Sequence, residues 1–372
     1  MSTMLIGSLL IAANLLTFVD AGSWKLPIQE VKRVQRKNSL GLLNDVYPGP
    51  LHLDRNHYRA TIYLGTSSMP FRVMIDTGSH VLWVPKIGCK ASGEFATGNC
   101  ESSERVYDPK KSTKAENHYA RFYAEYGGGN DWVKGHYYKD VFSFGENMRI
   151  KYPIMFGVGE QMKNEDQGIL GLGNAIDPGE RGSSILHEAW RHRIIDAPVF
   201  TIYLQKCPES EDCENHGMIT IGSYDKEMCG EVVGHVDVNP NSIHWLFELS
   251  SFKLGRALLS KPFKAMIDLG APGIYISTYA YKLTMSMIKA TRMDGLYVVK
   301  CDADVDVTLQ INGQKYTVPG SQLLVNLHNG FCSLRLYPYD RPDDVWLIGT
   351  PFSMVYCITH NFEAHTVEFA PA

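Results

Sequence analysis

The chain has 372 residues, 44% of them hydrophobic and 20% charged, which is the composition of a globular protein and not of a disordered one. Its formal net charge is −4, from 36 basic and 40 acidic residues, and the main body carries no dense Lys/Arg stripe, which argues against nucleic acid as a partner. The length suits two domains, or two lobes of one fold.

In chain order, the first element is the uncharged apolar run Met4 to Val19 (MLIGSLLIAANLLTFV). It falls short of the ~20 residues of a membrane span. Val19 and Ala21 are placed for signal-peptidase cleavage, so residues 1–21 read as a secretory signal peptide, with an uncleaved anchor as the alternative. No membrane association is expected once it is removed. Residues 22–50 follow as a basic leader. The Lys and Arg spacing in SWKLPIQEVKRVQRKNSL, Ser23 to Leu40, predicts a partly helical arm. Five basic side chains against three acidic ones leave the first fifty residues at +2 and the remainder at −6. That asymmetry suggests a pro-segment held by charge, with a solvated arm as the alternative.

From Asp54 onward the sequence is mostly β. YRATIYL, FRVMID, VLWVP, RFYAEY, MRIKYPIMFGV, VFTIYL, MITIG, VDVTLQI and VWLIG are short Val-, Ile-, Tyr- and Phe-rich runs, separated by Gly, Pro, Asn and Asp. Two segments look helical, Ser183 to Ile194 and Ala280 to Ala290. No strand–helix alternation appears, so the expected class is all-β with minor helices and no parallel α/β sheet.

Eight cysteines fit an oxidising compartment. Short loops favour the pairs Cys89–Cys100, Cys207–Cys213 and Cys301–Cys332. Neither CPESEDC nor CKASGEFATGNC has the two-residue spacing of a zinc knuckle, so no metal site is expected. Cys229 and Cys357 stay open between free thiols, a fourth bridge and an intermolecular link. No Asn-x-Ser/Thr sequon occurs. This favours secretion over mannose-tagged lysosomal delivery, which remains the alternative.

Two stretches share a pattern. VMIDTGSHVLWVP, Val73 to Pro85, sets Asp76 in a tight turn after an apolar strand. FKAMIDLGAPGIYIS, Phe263 to Ser277, does the same for Asp268 in the second half. Internal duplication explains the pair, and two such turns would meet across the axis relating the lobes. Carboxyls in contact cannot both ionise cheaply and share a proton. One then serves as general base on a water and the other as general acid toward a carbonyl oxygen, so amide hydrolysis needs no metal or cofactor.

With these motifs in place, the sequence from about Asp54 to Ala372 resembles the pepsin-like aspartic peptidases. EYGGG is similar to the flap of that family, DQGILGLG to its Asp-Gly-Ile-Leu-Gly-Leu segment, PVFTIYL to its lobe-linking strand, and VWLIGTPF to its C-terminal lobe. The resemblance implies a bilobal fold, with lobes at 51–222 and 223–372, acting as a monomer on peptide or protein substrates. It implies Asp76 and Asp268 as catalytic dyad, supported by Thr77, Gly78, Ser79, Trp83 and Gly270. Ser79 would bond the outer oxygen of Asp76. Tyr126, with Gly127, Gly128 and Gly129, would form a mobile flap, and the Trp83 indole would donate to the tyrosine hydroxyl. Core packing is the alternative for both aromatics.

The sequence also departs from the family. Gly128 replaces a hydroxyl-bearing flap residue. Leu269 replaces the second Thr or Ser, so one half of a reciprocal hydrogen bond between the two turns should be missing. Ala271 removes a hydroxyl donor from Asp268, which raises a carboxyl pKa, and Thr350 replaces an acid, which lowers it. Active endopeptidase is the preferred reading, ahead of a peptide-binding homologue with weakened or lost turnover and of a purely structural protein. The basic leader, through Lys32, Arg33, Arg36 and Lys37, would then act as an intramolecular inhibitor released by acid.

Overall fold

The computed structural model describes residues 22–32, 56–93, 98–99, 106–127, 129, 131–145, 149–163, 168–175, 184–205, 216–293, 295–327, 330–341 and 343–372. Strands dominate these residues. The helices among them are short: Ile185–Arg191, Thr278–Met287, Gly320–Leu323 and Thr350–Ser353. The first two fall where the apolar periodicity predicts them. Ser277 caps the second by accepting from the Ala280 N–H.

The fold is bilobal and mostly β, and one sheet joins the halves. At its middle Val199–Leu204 pairs antiparallel with Tyr356–Asn361, setting Phe200 opposite His360. Outward on one side lie Gly217–Ile221 and then Trp24–Lys32. Outward on the other lie Thr366–Pro371 and then Gly234–Asp237. The sheet is thus close to two-fold symmetric about its central pair.

Residues 24–32 correct the helical expectation for the leader. Leu26 and Ile28 are buried while Lys25, Pro27 and Gln29 face outward, the period of two that a strand requires. Pro27 also disfavours a helix interior. The strand pairs with Gly217–Ile221 on one edge and with Asn56–Leu64 on the other. Lys25 reaches Asp225 at 3.5 Å and Glu227 at 2.5 Å.

Two bridges tie the C-terminal half. Cys301–Cys332 has a Cα separation of 5.0 Å. Cys229 and Cys357, left open by sequence, bond to each other with Cα atoms 5.9 Å apart and 128 positions apart in the chain. Locality could not reveal that pair, because only the joining sheet brings Tyr356–Asn361 back beside the segment before Gly234–Asp237 that carries Cys229. Cys89 is also disulfide-bonded. Cys100, Cys207 and Cys213 lie outside the described residues.

Candidate active site

Along Met69–Asp76, Phe71, Val73 and Ile75 point inward and Pro70 and Arg72 outward, so the strand delivers Asp76 to the core edge. The strand runs parallel to Ile169–Gly171, with Asp76 opposite Gly171, and the Leu172 N–H donates to the Asp76 carbonyl at 2.7 Å. The second half repeats this construction. Phe263–Ile267 runs parallel to Val345–Ile348, and the Asp268 N–H donates to the Ile348 carbonyl at 3.0 Å. Each Asp therefore leaves a buried strand wedged against a parallel neighbour, which fixes its turn.

The two turns meet. A Cβ placed on Gly78 would lie 2.7 Å from Oδ2 of Asp268, and one placed on Gly270 would lie 2.8 Å from Oδ1 of Asp76. Only glycine leaves room for the crossed carboxyls. Asp76 is 5% exposed and Asp268 7%. Asp76 accepts from the Gly78 N–H at 2.8 Å and from the Ser79 hydroxyl at 2.5 Å. Asp268 accepts the Gly270 N–H at 2.9 Å. Ala271 adds no hydroxyl on that side. Burial, then the charge of Asp76 and the hydrogen bond to it, hold the Asp268 carboxyl well above the ordinary range.

Beneath the pair, the Thr77 hydroxyl donates to the Ile267 carbonyl at 2.9 Å and accepts the Leu269 N–H at 3.0 Å. Leu269 has no hydroxyl to return the bond. Its side chain is 1% exposed and belongs to the main core, so apolar packing replaces the polar half of the clasp. Thr350 is buried at the start of Thr350–Ser353 and its N–H donates to the Ala271 carbonyl at 2.9 Å.

A cavity of about 690 Å³ opens over the carboxyls. The hairpin of Glu116–Tyr126 and Asp131–Ser143 covers it. Tyr126 lines it at the hairpin tip, and the Trp83 indole donates to the Tyr126 hydroxyl at 3.0 Å. Gly127 and Gly129 hold the turn at φ +57° and +91°. Gly128 lies outside the described residues. Among the described residues, no cluster of three His, Cys, Asp or Glu side chains is placed to hold a metal ion.

Two titratable groups of the cavity carry no motif and escape a sequence reading. His244 lines the cavity near Gly78; burial, then the nearby Arg341 guanidinium, hold its imidazole below the usual range, against the pull of Asp76. Trp245 anchors that segment through its indole, which donates to the Leu172 carbonyl at 2.8 Å. Arg341 lines the cavity paired with Asp343. Only the register between distant loops brings these residues to the carboxyls.

Duplicated β lobes that cross two aspartates under a tyrosine-tipped hairpin define a protein built around an aspartic dyad. A model of the eukaryotic aspartyl protease family matches residues 57–372, and the chain belongs to that family. It is 28% identical over 334 residues to plasmepsin IV of Plasmodium falciparum, covering 83% of this chain and 68% of the relative. It is 26% identical to aspartic protease 1 of Caenorhabditis elegans (85% and 82% covered) and 25% identical to pepsin A of Gallus gallus (86% and 85%).

Proposed function

We propose that the chain is a secreted aspartic endopeptidase made as a zymogen, with Asp76 and Asp268 as its catalytic dyad. The observation that carries the reading is the contact of two buried carboxyls with unequal donor sets at the floor of the cavity. Asp76, with two donors, holds the charge and acts as base on a water between the pair. Asp268 keeps the shared proton and gives it to the scissile carbonyl oxygen as the water attacks. The resulting tetrahedral diol collapses as Asp76 passes the proton it took from water to the amide nitrogen, a diol hydroxyl returns its proton to Asp268, and the C–N bond breaks. Thr77, Gly78, Ser79 and Gly270 hold the carboxyls in place. Tyr126, braced by Trp83, closes over the peptide and excludes water from the reacting bond. Apolar residues beside the scissile bond suit walls that include Met74, Tyr126 and Leu347.

The leader extends this reading. Trp24–Lys32 is held in the joining sheet, and its continuation carries Arg33, Arg36 and Lys37, which lie outside the described residues along with the side chain of Lys32. Their charge suits an acidic cleft at neutral pH, and protonation of cleft carboxyls in acid would release them. Secretion follows from the signal-like first 21 residues, with an endomembrane lumen as the alternative. Among the described residues no helix is long and apolar enough to cross a membrane.

Leu269 favours a second reading, a cleft that binds peptides and turns them over poorly. The deciding experiment is cleavage of a quenched peptide with an apolar scissile pair from about pH 3 to 7, with and without pepstatin, after removal of the leader. Pepstatin-sensitive turnover supports the endopeptidase. Tight pepstatin binding without turnover supports the binder and overturns the proposal.

A further inference from the structure

The cavity over the dyad is unevenly charged. Glu125 and Asp131 line it from the covering hairpin, whereas Arg341 lines it from the turn between Leu336–Pro338 and Val345–Ile348. The second of these strands pairs with Phe263–Ile267, which leads into Asp268, so Arg341 belongs to the Asp268 half of the site. Its charge is felt there. Arg341 pulls on Asp268 and opposes protonation of His244.

Arg341 is also pre-oriented. Its Nε donates to Oδ1 of Asp343 at 2.8 Å and its Nη2 to Oδ2 at 3.1 Å, a planar fork on one edge of the guanidinium. No protein partner holds Nη1 among the described residues, so the end of the guanidinium is available for a second carboxylate. The Arg341 side chain is 22% exposed and that of Asp343 43%, so Asp343 is partly screened by water and does not neutralise the arginine fully. A fixed guanidinium loses little further entropy when it binds an anion.

We propose that Arg341 is a specificity-determining residue, which binds a carboxylate of the peptide on the Asp268 side of the scissile bond. The inference rests on the peptidase reading and goes beyond it by naming the preferred substrate chemistry. The hairpin acids Glu125 and Asp131 sharpen the selection, because they repel a carboxylate from the other wall and leave Arg341 as its place. The carboxylate can come from a Glu or Asp side chain or from a free chain terminus.

The test uses the leader-free protein and a set of statine-type peptide inhibitors. Glu and Gln are exchanged at each position on one side of the statine and then the other, with amidated and free C-termini. Binding is measured by calorimetry at about pH 6 and at about pH 3.5. At one position on a single side of the statine the Glu analogue should bind about tenfold tighter than the Gln analogue, the size expected of one charge-assisted pair. The ratio should fall toward one in Arg341→Met. It should also fall at the lower pH, where a glutamate with its ordinary pKa near 4.3 takes up a proton. Asp343→Asn, which keeps the arginine and removes its competitor, should enlarge the ratio. A preference confined to free over amidated termini would support the site and assign it to chain ends. Equal binding of Glu and Gln and of both termini throughout, or a Glu preference that survives in Arg341→Met, would overturn the inference while leaving the peptidase reading intact. Failure of every inhibitor to bind the parent protein would overturn both.

Discussion

His360 sets an acid limit on the fold. It is 0% exposed at the centre of the joining sheet, stacked on Phe200 with ring centroids 4.5 Å apart and tilted 60° to Trp245. Neither ring nitrogen meets a hydrogen-bond partner among the described residues. Burial alone drives its pKa from 6.5 down to about 3. The unfolded chain therefore takes up a proton below pH 6.5 that the folded chain refuses until about pH 3. Stability is lost across that window as pH falls, at up to ~1.4 kcal/mol per pH unit and about 5 kcal/mol in all. His360→Phe keeps the ring stack and removes the titration. Its stability relative to the parent should rise by about 2.3 kcal/mol between pH 6.5 and pH 4.5. For a chain of this size that is roughly 3 °C in melting temperature. Thermal unfolding of both proteins across this range is the assay. Parallel curves would refute the reasoning, since a pH-independent packing change cannot alter the difference between them.

Other outcomes follow from the site. Asp268→Asn should raise stability at neutral pH. A carboxyl whose folded pKa is raised contributes stability that is present at low pH and lost as pH rises, and the amide escapes that loss. A melting temperature unchanged at neutral pH would count against the buried, Asp76-facing environment. Leu269→Thr should raise kcat by restoring the missing bond, worth ~0.5–1.5 kcal/mol. It should also lower overall stability, because the lost burial of a core leucine costs ~2–3 kcal/mol. A folded variant no faster than the parent would show that Leu269 does not limit turnover. Tyr126→Phe leaves the Trp83 indole without that acceptor and should lower stability by ~1–2 kcal/mol together with turnover; unchanged kcat/KM would remove Tyr126 from the closure step.

The β class, the two helices and the paired Asp turns were legible because each depends on local pattern: alternation along Met69–Asp76, apolar periodicity over Thr278–Met287, and glycines at 78 and 270. The leader strand was not, since the basic cluster after it outweighed Pro27 and the alternation of Leu26 and Ile28. The Cys229–Cys357 bridge, the buried His360 and the placement of His244 and Arg341 depend on contacts between segments distant in sequence. No spacing rule encodes those. Leu269 shows both cases: its missing hydroxyl was readable, while its place in the core packing needed the fold.

The central claim is that Asp76 and Asp268 act as one unit. The most direct measurement is kcat for the leader-free parent, Asp76→Asn, Asp268→Asn and the double variant on one quenched peptide at one pH. Residues that act as a unit lose their function together. All three variants should fall to the same residual rate, with the double variant no worse than either single one. A single variant that keeps substantial turnover, or losses that multiply in the double variant, would contradict the account.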